Sequence, residues 1–222
     1  MFFLSEPMSD DFELSIPKET VAEMPVVNYP GQITVINSAL DAKKALRYLS
    51  SLPAVGFDTE TRPTFHRGKL NKVALIQIYA PTRCFLFRIN QIGLTDEMVD
   101  FLESPTTAKI GVSLHDDFRN LNKIRQINPQ AEIDLQQFVK DYHIRDNSLQ
   151  RIYAIVFGER ISKSQRLTNW EAESLTESQQ IYASIDAWAC YKLYHHLIAE
   201  KFHPEESPYV VEPEPTAEQD QQ

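Results

Sequence analysis

The sequence predicts an α/β sandwich with a mixed central sheet flanked by helices. Between residues 31 and 203, apolar runs of strand length alternate with segments of helical periodicity. The early strands can pair as a meander, whereas the later strands are joined through helices. A chain of 222 residues, of which 42% are hydrophobic, is long enough to bury a core around such a sheet.

The first half of this domain is predicted to contain four strands and one helix. Residues 32–36 form the first strand, and Asn37 or Ser38 caps the helix that follows. The apolar face of this helix consists of Leu40, Ala45, Leu46 and Leu49. The other strands are predicted at 54–59, 72–79 and 83–89. The first of these three is a short apolar run, which is typical of a strand covered on both faces.

The second half is predicted to alternate between helices and short strands. A helix begins at Thr95, where a threonine is a favoured cap residue. The predicted elements are helix 95–103, strand 108–114, helix 116–126, a short strand at 132–135, and helices to about Phe202. This order places the later strands in crossover connections.

The two ends of the chain are strongly acidic, whereas the middle is not. Residues 1–30 contain six acids and one base, for a charge of −5, and residues 204–222 contain six acids and no base. The formal charge of −9 therefore leaves +2 for residues 31–203, which does not exclude a polyanionic substrate. We expect residues 1–30 to form an extended arm on the domain surface. Residues 204–222, rich in proline and acids, are expected to be a disordered tail.

Several classes of protein are excluded or disfavoured by what the sequence lacks. It has no glycine-rich phosphate loop, no GxSxG motif and no run of about 18 apolar residues. Met1 to Leu4 do not resemble the start of an export signal. Cys84 and Cys190 belong to no metal knuckle and are expected to be apolar core residues. These features predict a cytoplasmic protein that does not bind a membrane.

Acidic residues at strand ends and on a helix are the candidates for chemistry. Asp58 and Glu60 follow an apolar strand, and the two-residue period sends both carboxylates to one face. Alone, this pair is also explained as a polar strand exit. Asp117 follows the predicted strand 108–114. The alternative interpretation of Asp117 is a first-turn acid favoured by the helix dipole, with Asp116 as a cap.

The last candidate acid lies on a long C-terminal helix. Tyr182 and Asp186 are four residues apart and share one helix face, where an unpaired acid would be costly to desolvate. Pairing with an arginine is the alternative explanation. Taken together, four carboxylates from three segments form the oxygen ligand set that hard divalent cations prefer. Two such cations can promote hydrolysis of a phosphodiester, because they activate a water molecule and stabilise the leaving oxygen.

The order and spacing of these motifs resemble a known enzyme family. The motifs are Asp58-x-Glu60, Gly111-Val-x-Leu-x-x-Asp117-x-x-x-Leu121 and Tyr182-x-x-x-Asp186. In this order they are similar to the DEDDy 3′-5′ exonucleases, in particular to the Werner-syndrome-type exonuclease domain found in stand-alone bacterial proteins. The similarity spans about residues 30 to 200 and includes 56–63, 73–77, 84–87, 161–165 and Asn169-Trp170. Each motif is weak alone, and the combination is specific.

The resemblance implies an RNase H-like three-layer sandwich with two Mg²⁺ or Mn²⁺ ions. By analogy Asp58 bridges both ions, Glu60 and Asp186 complete one site, and Asp117 serves the other. Tyr182 would orient the attacking water. A sibling group has histidine five residues before the last aspartate, and here that residue is Ile181, which favours the tyrosine branch. Asp116 departs from the family, where glycine is common, and it is a candidate to perturb the metal pocket.

Basic residues near the motifs are candidates for substrate binding. We expect Thr61, Arg62 and Lys163 to contact the nucleic acid, since they lie in family-like segments. Other candidates are Arg67, Lys69, Lys72 and Arg166. Trp170 could stack on a base, although a core position is favoured. Adjacent His195 and His196 point about 100° apart on a helix and are expected at its surface rather than on one ion.

The sequence-based hypothesis is a metal-dependent 3′-5′ exonuclease that acts on a free 3′ end and releases nucleoside 5′-monophosphates. DNA is favoured over RNA because the sequence lacks the extra helical domain that follows the catalytic domain in RNase D. An RNase D-like exoribonuclease is the alternative within the enzyme class. A catalytically silent nucleic-acid-binding module on the same fold is the non-enzymatic alternative.

Overall fold

The computed structural model describes residues 12–63 and 72–211. The strands are β1 (Glu13–Leu14), β2 (Gln32–Ile36), β3 (Ala54–Thr61), β4 (Val73–Ala80), β5 (Arg83–Phe87), β6 (Ala108–Gly111), β7 (Glu132–Asp134) and β8 (Val210–Val211). The helices are α1 (Lys18–Glu23), α2 (Ala39–Leu49), α3 (Ile89–Ile92), α4 (Asp96–Glu103), α5 (Leu114–Asn122), α6 (Leu135–Phe138), α7 (Leu149–Phe157) and α8 (Glu177–Ile198). Short 3₁₀ turns occupy Val139–Tyr142 and Pro204–Glu206.

The central sheet is mixed, with the strand order β2-β5-β4-β3-β6-β7. β3, β4 and β5 pair in antiparallel fashion, which confirms the predicted meander. β2 is parallel to β5, and β3, β6 and β7 are parallel to one another. The carboxyl ends of β3, β6 and β7 therefore meet at one edge of the sheet, which we call the acidic edge (residues 58–61, 111–117 and 134).

Helices cover both faces of the sheet and complete a three-layer sandwich. One hydrophobic cluster joins the sheet to α7 and α8, and it includes Leu75, Leu86 and Trp188. The other joins the opposite face to α2, α4 and α5, and it includes Phe57 and Ile78. The predicted fold class is confirmed. Within the described ranges, no helix is both long enough and apolar enough to span a membrane.

Several element boundaries differ from the sequence-based predictions. Ser38 is the cap of α2, since its side chain accepts a hydrogen bond from the Asp41 amide. Leu40 is 64% exposed, so its assignment to the apolar face is wrong. Six residues separate it from the buried Leu46, which turns it about 120° away around the helix. β5 ends at Phe87 rather than at residue 89.

The strand that leads to Asp117 is shorter than predicted, and its helix starts earlier. β6 ends at Gly111 rather than at residue 114, and α5 runs from Leu114 to Asn122 rather than over 116–126. Ser113 has a left-handed backbone conformation, with φ of 60°, which ends the extended chain. Asp134 then accepts hydrogen bonds from the Ser113 and Leu114 amides and starts the helix two residues early.

Both chain ends are more structured than predicted within the described residues. The arm is not extended throughout, because α1 interrupts it and Leu14 and Val21 are buried in the core. A disordered tail from residue 204 is wrong for 204–211, where a 3₁₀ turn is followed by β8. β8 pairs in antiparallel fashion with β1 of the arm, and this pairing satisfies backbone groups that composition alone assigned to solvent. Residues 1–11, 64–71 and 212–222 lie outside the described ranges.

Candidate active site

β3 presents Asp58 and Glu60 on the face of the sheet that packs against α8. Both side chains are half-buried at the carboxyl end of the strand. Removal of water around Asp58 raises the pKa of its carboxyl group to about 7. Burial, followed in importance by the charges of Asp58, Asp186 and Asp117, raises the pKa of Glu60 to about 10. These mutual effects place the four carboxylates within electrostatic reach of one another.

α5 carries Asp117 into this group, and two other side chains fix its position. Asp134 caps the first turn of α5 through the Ser113 and Leu114 amides, at 3.3 and 2.9 Å. Thr59 donates a hydrogen bond from Oγ1 to Asp117 Oδ1 at 2.5 Å. Burial raises the pKa of Asp117 to about 8, and the charge of Asp58 is the next cause. The Asp117 carboxylate is therefore held between β3 and its own helix.

α8 supplies the tyrosine and the fourth acid. Its start is fixed by a capping box, in which the Thr176 side chain accepts from the Gln179 amide and the Gln179 side chain accepts from the Thr176 amide. Asp186 is 9% exposed, and burial followed by the charge of Asp58 raises its pKa well above the ordinary value. Burial also raises the pKa of the Tyr182 hydroxyl, so this group is protonated at neutral pH.

A close approach of helix and strand brings the two acidic segments together. Gly56 lies two residues before Asp58, and a Cβ atom at this position would be 1.9 Å from the Ala187 carbonyl oxygen. Only glycine therefore allows α8 to pack so closely against β3. Because Ala187 follows Asp186 directly, this contact sets the distance between the carboxylates of the strand and the helix.

The site opens into a cavity of about 260 Å³. Its lining includes Asp58, Tyr182 and Asp186 together with Lys163 and Arg166. Its remaining wall consists of Val112, Ser148, Leu149, Gln150, Ile161, Ser162 and Cys190. Acidic and basic side chains therefore line the same cavity.

The described ranges contain no group of three or more His, Cys, Asp or Glu side chains arranged tightly enough to form a metal centre. The fold brings together four carboxylates, those of Asp58, Glu60, Asp117 and Asp186, whereas the binding of two metal ions by them is a proposal. The donor set fits Mg²⁺ or Mn²⁺, because it consists of carboxylate oxygens whose charges are mutually unfavourable until a cation neutralises them.

The predicted substrate-binding residues have different surroundings. Thr61 is half-buried at an irregularity in the pairing of β3 with β4. Arg62 forms an ion pair with Glu171 at 3.2 Å. Lys163 is exposed and lines the cavity, as does Arg166. Lys72 is exposed next to β4, and the remaining candidates, Arg67 and Lys69, lie outside the described residues.

The preferred core position of Trp170 is confirmed, whereas His195 and His196 are half-buried rather than fully at the helix surface. Trp170 is fully buried, and its ring centroid lies 6.0 Å from that of Tyr182, so it supports the tyrosine from the core. His195 stacks on Tyr191 and His196 contacts Phe157, which turns the two imidazoles to different neighbours. The predicted burial of both cysteines is also confirmed.

Asp116 points away from the cavity. Its side chain is 59% exposed and forms an ion pair with Arg119 at 2.8 Å, one turn along α5. Its charge nevertheless contributes to the raised pKa of Asp117, after burial and the charge of Asp58, whereas the Thr59 hydrogen bond lowers this pKa. Asp116 therefore acts on the neighbouring acid through its charge.

Sequence reasoning missed two side chains that support the site, Thr59 and Asp134, and one buried amide next to it, Gln77. Thr59 and Asp134 hold Asp117 in place. The available signals in the sequence are the position of the Thr59 hydroxyl between two acids and the position of Asp134 at the end of a third parallel strand. Gln77 lies opposite Asp58 in the β3–β4 register and is fully buried. Neither amide atom of Gln77 has a hydrogen-bond partner among the described residues.

The mixed sheet with helices on both faces and the acidic edge are those of an RNase H-like exonuclease domain. The sequence profile of the 3′-5′ exonuclease family matches residues 33–200. The chain belongs to this family, and the resemblance drawn from the motifs is confirmed.

Relatives and solved structures support the same assignment. The chain is 28% identical over 190 residues to the mouse bifunctional 3′-5′ exonuclease/ATP-dependent helicase WRN, a match that covers 78% of this chain and 13% of WRN. It is 27% identical to a 3′-5′ exonuclease of Arabidopsis thaliana, over 77% of this chain and 65% of that protein. The chain thus spans less than two thirds of these relatives.

Two solved structures share the fold. The EXO domain of Aedes aegypti Nibbler superposes with a TM-score of 0.70 at 19% identity, covering 82% of this chain and 97% of that one. Escherichia coli RNase D gives a TM-score of 0.68 at 23% identity, covering 76% of this chain and 45% of RNase D. At these identities the likeness concerns the fold alone.

Proposed function

We propose that this protein is a metal-dependent exonuclease that removes nucleotides from the 3′ end of DNA and releases nucleoside 5′-monophosphates. The observation that carries the proposal is the convergence of four carboxylates from β3, α5 and α8, each with a raised pKa, beside a cavity lined by two cations. Membership of the 3′-5′ exonuclease family supports it.

Asp58, Glu60 and Asp186 would hold one divalent cation, and Asp58 with Asp117 would hold a second. Such ions activate a water molecule and stabilise the leaving oxygen of a phosphodiester. The raised pKa values of the four acids support this assignment, since a buried group of like charges is stable in its ionised form only next to a cation.

Other side chains of the cavity would bind the substrate and orient the attacking water. Tyr182 keeps its proton because burial and the charge of Asp186 raise its pKa, so its hydroxyl acts by hydrogen bonding to the attacking water rather than as a base. Trp170 packs against the tyrosine ring and limits its rotation. Lys163 and Arg166 line the same cavity as Asp58 and Asp186 and would bind the phosphate that is cleaved.

Exoribonuclease activity is the second candidate function. E. coli RNase D, described as an exoribonuclease involved in structured RNA processing, shares the fold of this chain. The cavity offers cations for phosphates, and phosphates are common to both polymers. Parallel degradation of DNA and RNA strands of one sequence decides between them: faster loss of the RNA strand would overturn the preference for DNA.

The exonuclease proposal is tested with Asp58→Asn. We expect loss of activity on a 5′-labelled oligonucleotide with Mg²⁺ or Mn²⁺ by more than about 100-fold, since a ligand should matter more than the outer-shell partners, which are worth 10- to 100-fold. The substitution removes a charge that is unfavourable in the fold, so the metal-free melting temperature should not fall.

The matched control is Asp116→Asn, which removes the neighbouring exposed acid on α5. It should retain most of the activity, because its carboxylate faces Arg119 rather than the cavity. Undiminished release of nucleoside 5′-monophosphates by Asp58→Asn would show that the carboxylates are not the catalytic group. A silent binding module would be indicated by a folded wild-type protein that binds strands but never cleaves them.

A further inference from the structure

The N-terminal arm, residues 12–30, is bound to the segment that forms one wall of the cavity. At its start, the Leu14 amide donates to the His143 carbonyl at 2.7 Å, and the Arg145 amide donates back to the Leu14 carbonyl at 3.0 Å. The Ile16 amide donates to the buried Asp146 carboxylate at 2.9 Å. These contacts fix the chain just before α7.

The end of the arm makes a second set of contacts just after α7. The Val27 amide donates to the Arg160 carbonyl at 3.0 Å, and the Arg160 amide donates to the Pro25 carbonyl at 2.9 Å. The Arg160 side chain also donates from Nε to the Met24 carbonyl at 2.9 Å. The next residue, Ile161, begins the part of the cavity wall that ends at Lys163.

Between these two attachments, α1 packs on α7. The first residues of α7 and its cap, 148–150, line the cavity, as do residues 161–163. The arm therefore contacts α7 and the chain on both sides of it, next to the residues 148–150 and 161–163 that line the cavity. A strand that leaves the cavity on this side would pass along α1 and α7.

α1 presents Lys18 towards α7 and the cavity wall, and it presents its acids towards solvent. Val21 is buried, and at 100° per residue Lys18 lies only about 60° from it around the helix. Glu19 and Glu23 lie about 160° from Val21, on the solvent face. Lys18 is exposed and therefore accessible to a ligand at the flank of the wall.

Lys18 joins a group of cations around Lys163. Besides desolvation, the positive charges of Arg166, Lys18 and Arg151 lower the pKa of Lys163, which places all four within electrostatic range. Arg151 also pairs with Asp146 at 2.8 Å, the acid that holds the arm. The other cations of the group, Lys18, Lys163 and Arg166, lie on α1 and on the loop that contains residues 163–166. Their arrangement extends from the cavity towards the arm.

We propose that the N-terminal arm is part of the nucleic-acid-binding surface, and that Lys18 binds a backbone phosphate of the strand on the 5′ side of the nucleotide that occupies the cavity. This inference rests on the proposed function, because it takes the cavity as the place of the 3′ end. Backbone phosphates are the ligand chemistry, so Lys18 increases affinity for DNA and RNA strands without reading their sequence.

The test compares binding of a labelled 12-nucleotide single strand to wild type, Lys18→Ala and Lys44→Ala in EDTA, across a range of salt concentrations. Lys44 is an exposed lysine on α2 and is the matched control. One phosphate contact to a single strand adds about 0.7 to the salt slope, so Lys18→Ala should weaken binding roughly fivefold at 0.1 M salt and negligibly at 1 M. Binding of a dinucleotide should be the same in wild type and Lys18→Ala.

An unchanged 12-nucleotide affinity and salt slope for Lys18→Ala would overturn the inference, and so would an equal loss in Lys44→Ala. An equal loss for the dinucleotide would also overturn it, because the lysine would then act through the cavity wall. Adding Mn²⁺ to the wild-type complex tests the exonuclease proposal separately. A strand that binds and is not cleaved contradicts that proposal and leaves the affinity comparison intact.

Discussion

The distance between strand and helix at Gly56 controls the separation of the catalytic acids, and Gly56→Ala changes that distance. The added Cβ atom would lie 1.9 Å from the Ala187 carbonyl oxygen, whereas real Cβ contacts essentially never fall below 3.0 Å. The obstacle is backbone rather than a flexible side chain, so α8 must move away from β3 by about 1 Å. Asp186 precedes Ala187 and must move with it.

We expect Gly56→Ala to lose most of its activity while it loses only part of its stability. Mg²⁺ demands near-ideal octahedral geometry at about 2.0–2.1 Å from its ligands, and a misplacement of about 1 Å costs on the order of 100-fold in rate. Overpacking of a core costs about 1–3 kcal/mol in the free energy of unfolding. In a chain of this size, each kcal/mol lowers the melting temperature by about 2–4 °C. The variant should therefore be folded at 25 °C and nearly inactive.

The control for Gly56→Ala is Gly158→Ala at the end of α7. Gly158 has a positive φ of 67° and open space at its Cβ position, so alanine is strained there without a clash. That strain costs about 1–2 kcal/mol, which matches the stability loss expected at Gly56. Exonuclease rate and Mn²⁺ affinity, by titration calorimetry, should fall in Gly56→Ala alone. Wild-type rate and Mn²⁺ affinity in folded Gly56→Ala would refute the argument that this contact positions Asp186.

Two further predictions concern Asp117 and the charge of the whole site. Thr59→Val keeps the side-chain shape but removes the donor to Asp117, so the exonuclease rate should fall about 10- to 100-fold; an unchanged rate would make the hydroxyl dispensable. Burial raises the pKa of Asp58 to about 7 and that of Asp117 to about 8, from ordinary values of 3.8. The metal-free folded protein therefore retains protons that the unfolded chain releases between about pH 4 and 8. In EDTA, its melting temperature should fall as the pH rises through this window, and Mn²⁺ should reverse the fall; a rise with pH in EDTA would contradict the assigned burial.

The sequence could predict those parts of the site that depend on the spacing of residues within one strand or one helix. The period of a strand places Asp58 and Glu60 on one face, and the period of a helix places Tyr182 beside Asp186. The segment before Asp117 was predicted with the wrong boundary, because its helix starts through hydrogen bonds from Ser113 and Leu114 to an acid 20 residues further along the chain. Such a long-range cap leaves no periodic signal in the sequence.

The chain ends illustrate a different limit. Proline and acid content indicated a solvated tail after residue 203, yet β8 pairs with β1 and closes the arm against the domain. Composition measures the average tendency to bury surface, whereas a two-residue strand needs only one partner with free backbone groups. The prediction for Leu40 is wrong for a related reason: its apolar character suggests a core position, although its angle around α2 turns it towards solvent.

A cluster of buried acids opposes folding, so the rest of the domain must hold it together. Each raised pKa means that ionising the group in the folded, metal-free protein is unfavourable, and repulsion alone would separate the carboxylates. The structure opposes this separation with rigid contacts: the close approach at Gly56, the Thr59 and Asp134 hydrogen bonds to α5, and the capping box of α8. Because these contacts come from residues outside the ligand set, they preserve the arrangement of the carboxylates before a cation binds. The free energy of cation binding is then not reduced by the cost of assembling the ligands.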